Sequence, residues 1–128
     1  MEENILEKSI GTKEFETLKP TQVVITGVKI VRAPADETKK KIGEILRLIC
    51  KHPDRDEPIE ISEVKYLKND TMKYSGLWIN LDEEKNIQKG SALAILLEYL
   101  KVKNIKELEG KSAQTDLDKN GFLCVKAY

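Results

Sequence analysis

The sequence predicts an all-β fold class: a β-rich domain with one main helix. Residues 21–32 are rich in β-branched side chains, which favour strands. One segment, residues 91–101, carries four leucines at helical spacing. The length of 128 residues suits one domain, which we place in residues 19–128, behind an acidic tail in residues 1–18.

The first strand carries a shift in its apolar pattern. Val23 and Ile25 share one face, whereas Val28 and Ile30 continue the alternation one residue out of phase. Gly27 lies at this shift. A glycine at a change of phase is typical of a β-bulge that bends the strand.

Residues 33–41 predict a charged loop, and residues 42–51 predict the second strand. Every second position from 46 to 50 is Leu or Cys, which suits a strand with one buried face. A helix is the open alternative, because four apolar residues of this segment also fall at helical spacing. We favour the strand because the segment stops at Pro53, inside a polar turn over residues 52–58.

Residues 59–67 and 71–81 also alternate, and they predict either a hairpin or one long bent strand. In the second segment Tyr74, Gly76 and Trp78 share one face. The two rings would therefore lie on the same side of the sheet.

Residues 82–89 predict a charged loop, and the helix follows. Ser91 is a suitable N-cap. One apolar face is formed by Leu93, Leu96, Leu97 and Leu100. Residues 104–109 predict a second short helical turn that ends at Gly110.

Residues 111–128 predict a final hairpin around residues 118–121. A two-residue Asn-Gly turn would pair Leu117 with Cys124. A three-residue loop with Gly121 in the left-handed conformation is the other possibility, and it gives a second register. That register pairs Leu117 with Leu123, Thr115 with Val125 and Ala113 with Ala127. We favour it because it gathers the apolar side chains on one face.

The order of elements places one helix between the third and fourth strands. This is the order of the OB-fold, a five-stranded Greek-key barrel. The sequence therefore predicts an OB-fold-like barrel closed by the helix of residues 91–101.

Charge is balanced overall but uneven along the chain. The net charge is zero, so no attraction to polyanions comes from the molecule as a whole. Residues 19–51 carry eight Lys or Arg against three Asp or Glu, whereas residues 52–90 carry six against nine. Without an apolar run of spanning length or a signal peptide, we expect a cytoplasmic protein with reduced cysteines and no membrane partner.

Basic and aromatic residues in the strand segments suit single-stranded nucleic acid. Such binding needs cations along the backbone and rings on which bases stack. Tyr74 and Trp78 could form that platform, or could simply cover the barrel. The candidate binding residues are Lys29, Arg32, Arg47, Lys51, Lys65, Tyr66, Lys73, Tyr74 and Trp78.

Other chemistries have weaker support. Cys50, His52 and Cys124 would bind zinc only if the fold brought them together, and a fourth ligand is missing. The segment from Asp116 imitates an EF-hand loop, but Ala127 stands where the bidentate Glu is needed. No nucleophile elbow or phosphate-binding glycine loop is present. We expect no enzymatic activity, no cofactor and no metal.

Short motifs in the second half carry a resemblance to a known family. They are Ser75-Gly-Leu-Trp-Ile-Asn-Leu81, Gly90-Ser-Ala-Leu-Ala-Ile-Leu-Leu97, Ile105-Lys-Glu-Leu-Glu-Gly-Lys111 and Gly121-Phe-Leu-Cys-Val-Lys-Ala127. With Leu18-Lys19-Pro20 before the first strand, residues 18–128 resemble OB-fold single-stranded DNA-binding proteins of phage and archaeal type. The resemblance implies binding across the barrel face. It supports Arg32, Lys65, Tyr66, Lys73, Tyr74 and Trp78 as binding residues.

We therefore expect a non-enzymatic domain that binds single-stranded DNA or RNA with modest affinity. The alternative is a protein-interaction module on the same barrel, such as a replication or viral accessory factor. The sequence leaves homo-oligomerisation open.

Overall fold

A computed structural model describes residues 18–34 and 42–128 of the chain. The described strands are β1 (Val23–Pro34), β2 (Ile42–Lys51), β3 (Ile59–Ile61), β4 (Glu63–Lys68), β5 (Thr71–Gly76), β6 (Ser112–Ala113), β7 (Thr115–Leu117) and β8 (Leu123–Ala127). Helix α1 (Ala92–Tyr99) and a 3-10 turn (Ile105–Leu108) lie between β5 and β6. The described chain is therefore strand-rich with one α-helix, as predicted.

The strands form two four-stranded sheets, and the chain passes directly from the first to the second at two points. One sheet has the order β3-β2-β1-β6 and the other β5-β4-β8-β7. The chain passes from the first sheet to the second at Ser62, between β3 and β4, and at Gln114, between β6 and β7. Two such crossings curl both sheets around a common interior, which makes the fold β-barrel-like.

The first two strands confirm the β-bulge and the strand assignment of residues 42–51. β1 pairs with β2 antiparallel, and the register shifts between Ile25 and Gly27. Ala33 and Pro34, predicted as loop, instead continue β1, because they pair with Gly43 and Ile42 at the start of β2. The remainder of that predicted loop, residues 35–41, and residues 1–17 of the predicted tail lie outside the described residues.

Residues 63–76 form a hairpin rather than one long strand, whereas residues 59–61 pair with β2 in the other sheet. β4 and β5 pair antiparallel around Asn69 and Asp70, whose positive φ angles of 53° and 61° suit a tight hairpin turn. β5 ends at Gly76 because the next residues leave β4 for β2. The backbone N–H of Leu77 donates to the Ser62 carbonyl, and the Leu77 carbonyl accepts from the Leu46 N–H.

Helix α1 begins as the sequence predicts. The Ser91 hydroxyl accepts a hydrogen bond from the Ala94 N–H at 3.2 Å, which satisfies one free donor of the first turn. Its apolar face buries Leu93, Leu96 and Leu97. The helix packs on β4 and β8, and its leucines join the common core.

The C-terminal hairpin confirms the favoured register in part. Leu117 pairs with Leu123, Thr115 pairs with Val125, and Gly121 has a φ of 85°. The third predicted pair, Ala113 with Ala127, is wrong. Ala113 pairs with Val23 of β1 instead, because the chain changes sheets at Gln114.

One hydrophobic core joins both sheets and the helix. It includes Ile25, Leu48, Val64, Val125 and Leu96, all fully buried. Burial of side chains of this size stabilises a fold by roughly 1.5–3 kcal/mol each. In the described part of the chain, no helix is long and apolar enough to cross a membrane.

Candidate nucleic-acid interface

The solvent-facing side of the strands, here called the outer face, carries the candidate site. Leu46 and Leu48 of β2 are fully buried, so Ile45 and Arg47 point to the opposite side. On β4, buried Val64 places Lys65 on that same outer side. The register therefore brings basic and aromatic side chains of separate strands onto one surface.

Trp78 packs closely against two glycines, Gly43 and Gly76. Trp78 forms an isolated antiparallel bridge with Ile45. A Cβ at Gly43 would come within 3.1 Å of Trp78 Cε3, and one at Gly76 within 3.0 Å of Nε1. Such distances are tighter than nine in ten real Cβ contacts, so the ring would have to shift by a few tenths of an ångström. Gly43 and Gly76 thus provide the space in which the indole ring rests on the outer face.

A second aromatic cluster surrounds Lys65. Lys65 pairs in register with Tyr74 of β5, and its ammonium lies 5.4 Å from the centre of the Tyr74 ring. Lys119 approaches the same ring at 5.7 Å, from the turn between β7 and β8. Both distances fall in the cation–π range. Tyr74 therefore has two cations beside its ring.

The same cluster continues to the end of the chain. Lys126 lies 4.6 Å from the centre of the Tyr128 ring. The Tyr128 hydroxyl donates to Asp116 Oδ2 at 3.2 Å, and Lys65 Nζ lies 2.8 Å from that oxygen. Lys65 lowers the pKa of Asp116, and Asp116 raises the pKa of Lys65. Asp116 thus links the lysine to the second ring.

An ion triad occupies the outer face of the other sheet. Glu60 Oε2 lies 3.0 Å from Lys29 Nζ, and Glu60 Oε1 lies 3.2 Å from Arg47. Lys29 and Arg47 are directly paired in the β1–β2 register. Hydrogen bonds from Lys29 and Arg47 lower the pKa of Glu60. One carboxylate therefore bridges two neighbouring cations.

A carboxyl pair, Glu63 and Asp118, connects the start of β4 to the turn between β7 and β8. Burial, followed by hydrogen bonding to Asp118, raises the pKa of Glu63 to about 7. The hydrogen bond from Glu63 lowers the pKa of Asp118. Burial also raises the pKa of the neighbouring Cys124 thiol to about 12. The two carboxyl groups therefore share a proton near neutral pH.

Six of the nine residues predicted for binding lie on the outer face. They are Lys29, Arg47, Lys51, Lys65, Tyr74 and Trp78. The ammonium of Lys51 donates to the carbonyl of Arg55, at the end of β2. These six residues come from five different segments of the chain: strands β1, β2, β4 and β5, and the residues that follow β5.

The other three predicted residues lie on the opposite side of their strands. Arg32 pairs with Glu44. Glu44 lies on the same side of β2 as the buried Leu46 and Leu48, so Arg32 is on the core side of β1. Tyr66 packs against the core. Lys73 is its direct partner in the register, so it also lies on that side. The structure does not bring these three together with Tyr74 and Trp78.

Sequence reasoning missed four charged members of the outer face: Glu60, Asp116, Lys119 and Lys126. Asp116 and Lys126 depend on the parallel pairing of β4 with β8, which places Lys65 beside Lys126. No local pattern predicts that pairing. The alternation of β8 alone would have placed Lys126 outside, opposite the buried Val125.

The metal hypotheses find no support in the described residues. No group of three or more His, Cys, Asp or Glu is arranged there to hold a metal ion. The two ring nitrogens of His52 are already used: Nδ1 accepts from the Asp54 N–H at 3.0 Å, and Nε2 lies 2.8 Å from the Lys19 carbonyl. The Asp118 carboxylate accepts from the Asn120 and Phe122 N–H groups, which explains that segment as a turn.

Comparison with known proteins adds no family to this geometry. No protein-family model, curated protein or solved structure matches this chain. Its function is therefore inferred from the chemistry of its own residues.

Proposed function

We propose that this chain is a non-enzymatic domain that binds single-stranded DNA or RNA across its outer face with modest affinity. The observation that carries the proposal is the position of Tyr74, Gly76 and Trp78 on one side of the sheet, with lysines beside Tyr74. Bases stack on aromatic rings whatever their sequence, and lysines neutralise the phosphates between them.

The proposal extends to the architecture, as an OB-type five-stranded barrel. β3 and β4 together would form its third strand, and β6 and β7 its fourth. Pairing supports this, since it runs from β1 through β2 to β3, from β4 through β8 to β7, and from β6 back to β1. OB barrels bind oligonucleotides across the second and third strands, where Arg47 and Lys65 lie.

Stacking on Trp78 is supported by its seat on the glycines. The indole packs closely against Gly43 and Gly76, and Trp78 is only partly buried. A ring fixed in this way loses little freedom when a base stacks on it. Base–ring stacking contributes about 1–3 kcal/mol per base.

Phosphate contacts are supported by cations that are not fully neutralised. Among the described residues, Lys119 and Lys126 have no carboxylate partner. Each lies beside a tyrosine ring, Lys119 beside Tyr74 and Lys126 beside Tyr128. A backbone that passes the two rings would therefore meet a cation at each.

Intrinsic fluorescence offers a direct test, because Trp78 is the sole tryptophan. We expect oligodeoxythymidylate or oligouridylate to quench it saturably, with log Kd varying linearly with log salt. Tyr74→Leu should weaken binding by about tenfold through lost stacking. Absence of quenching and of binding at low salt would contradict the proposal and favour the protein-interaction alternative.

A matched pair of lysine variants separates phosphate contacts from net charge. Lys119→Gln should weaken binding and reduce the salt slope by about 0.7, the value for one phosphate of a single strand. Lys106→Gln removes the same charge from the 3-10 turn, at an exposed position outside the candidate face. Equal effects of both substitutions would show that only net charge matters.

A further inference from the structure

We propose that Lys29 and Arg47 form a phosphate-binding subsite that Glu60 occupies in the free protein, so that Glu60 limits the affinity for nucleic acid. This inference rests on the proposed function. It assigns to Glu60 the place of a phosphate that would exchange with its carboxylate on binding.

The geometry of the triad is that of an anion held between two cations. The two oxygens of the Glu60 carboxylate each contact a different cation, at 3.0 Å for Lys29 and 3.2 Å for Arg47. A phosphate presents the same charged oxygens and is well matched to arginine and lysine together. The carboxylate therefore marks the position that a phosphate oxygen pair would take.

The triad is accessible enough for that exchange. The side chains of Lys29, Arg47 and Glu60 are 47%, 41% and 42% exposed. Among the described residues, no backbone N–H holds the Glu60 carboxylate. An exposed ion pair of this kind is held weakly, because water solvates each partner well. Glu60 can therefore separate from the two cations and leave them free to bind another anion.

Asp116 provides the contrast within the same face. Its partner Lys65 is only 14% exposed. The Asp116 carboxylate also accepts hydrogen bonds from the Leu117 N–H and the Tyr128 hydroxyl. These additional bonds fix Asp116 as part of the fold. Exchange is thus expected at Glu60 and not at Asp116.

The subsite is also placed correctly with respect to the proposed stacking ring. Arg47 and Ile45 point to the same side of β2, about 7 Å apart along the strand. Ile45 bridges to Trp78. A single-stranded nucleic acid with one base stacked on the indole would therefore pass close to the triad.

The test compares Glu60→Gln with Glu57→Gln by titration of a fluorescein-labelled oligodeoxythymidylate. Glu57 also pairs with an arginine, at 3.7 Å, but it is 84% exposed and belongs to the 52–58 turn. We expect Glu60→Gln to raise affinity about tenfold at low salt, since it removes one nearby negative charge. Its salt slope should steepen by about 0.7. Glu57→Gln should change affinity by less than about twofold.

A double substitution checks that the gain passes through the subsite. Adding Lys29→Gln to Glu60→Gln should remove most of the gain. Thermal unfolding should show that all variants remain folded, because exposed ion pairs contribute little to stability. If the wild-type protein binds the oligonucleotide but Glu60→Gln and Glu57→Gln have equal affinities, this inference is overturned and the proposed function stands. Failure of every variant to bind would overturn the proposed function, and the subsite with it.

Discussion

The indole of Trp78 and the backbone of Gly43 are in such close contact that no larger residue fits at position 43 without movement. A Cβ there would lie 3.1 Å from Cε3 and 3.2 Å from Cζ3 of the ring. The contact joins the start of β2 to the segment that follows β5. It fixes the ring that we propose as a base-stacking surface.

Gly43→Ala should therefore displace the indole by a few tenths of an ångström and destabilise the protein by about 1 kcal/mol, the lower end of the cost of overpacking, because Trp78 is only half-buried. It should also shift the fluorescence emission of Trp78, because the ring must move away from β2. Urea unfolding followed by tryptophan emission measures both effects.

Gly27→Ala is the matched control for that experiment. A Cβ at Gly27 meets its nearest neighbour, Ile49 Cδ1, at an ordinary 3.8 Å. This variant should retain the wild-type emission and stability, or gain slightly through a stiffer unfolded chain. Identical behaviour of the two alanine variants would contradict the proposed seat of the indole.

The carboxyl pair predicts a fall in stability between about pH 4.5 and pH 7. Glu63 has its pKa raised from 4.5 to about 7, so the folded state retains a proton that the unfolded chain releases. A group that binds its proton more tightly when folded stabilises at low pH, and loses that contribution as pH rises through its folded pKa. Asp116 and Asp118 have lowered pKa values and therefore act in the opposite direction. Their contribution to stability is lost only as pH falls below the ordinary aspartate pKa of 3.8.

Glu63→Gln isolates this effect. The amide cannot ionise, so the difference in unfolding midpoint between variant and wild type should change steadily across the pH 4.5–7 window. Asp118, the partner of Glu63, and the neighbouring thiol of Cys124 remain in both proteins. A difference that does not vary with pH would show that Glu63 ionises normally.

Both cysteines should be inert in the folded protein. Cys50 and Cys124 are fully buried, and burial raises the pKa of each thiol to about 12. Attack requires the thiolate, which is scarce at neutral pH when the pKa is so high. A chromogenic thiol reagent should therefore label neither residue in buffer and both in concentrated urea. Rapid labelling of one thiol in buffer would indicate local opening around it.

Local patterns in the sequence predict the parts of the fold that depend on neighbouring residues. The spacing of Leu93, Leu96 and Leu97 predicts helix α1, because one face of a helix repeats every three to four residues. The change of phase at Gly27 predicts the bulge in β1. The choice of register for Leu117 follows from the apolar face of the last hairpin.

Long-range pairing explains what the sequence could not predict. Ala113 pairs with Val23, ninety positions away in the chain, and no pattern near either residue indicates the other. For the same reason Glu60 could not be placed between Lys29 and Arg47, because this requires three strands in register. The shared side of Tyr74 and Trp78 is predictable, because only three residues separate them along a single alternating segment.

The three residues Leu77–Ile79 have a consequence for solubility. β3 covers β2 only from Leu48 to Cys50, and would leave the first half of that strand open to pairing with another chain. Leu77 and Ile79 close this gap by bonding to Leu46 and Glu44. Exposed strand borders are templates for aggregation. A β-rich chain with zero net charge has little repulsion to prevent it, so this short segment is the protection that electrostatics does not provide.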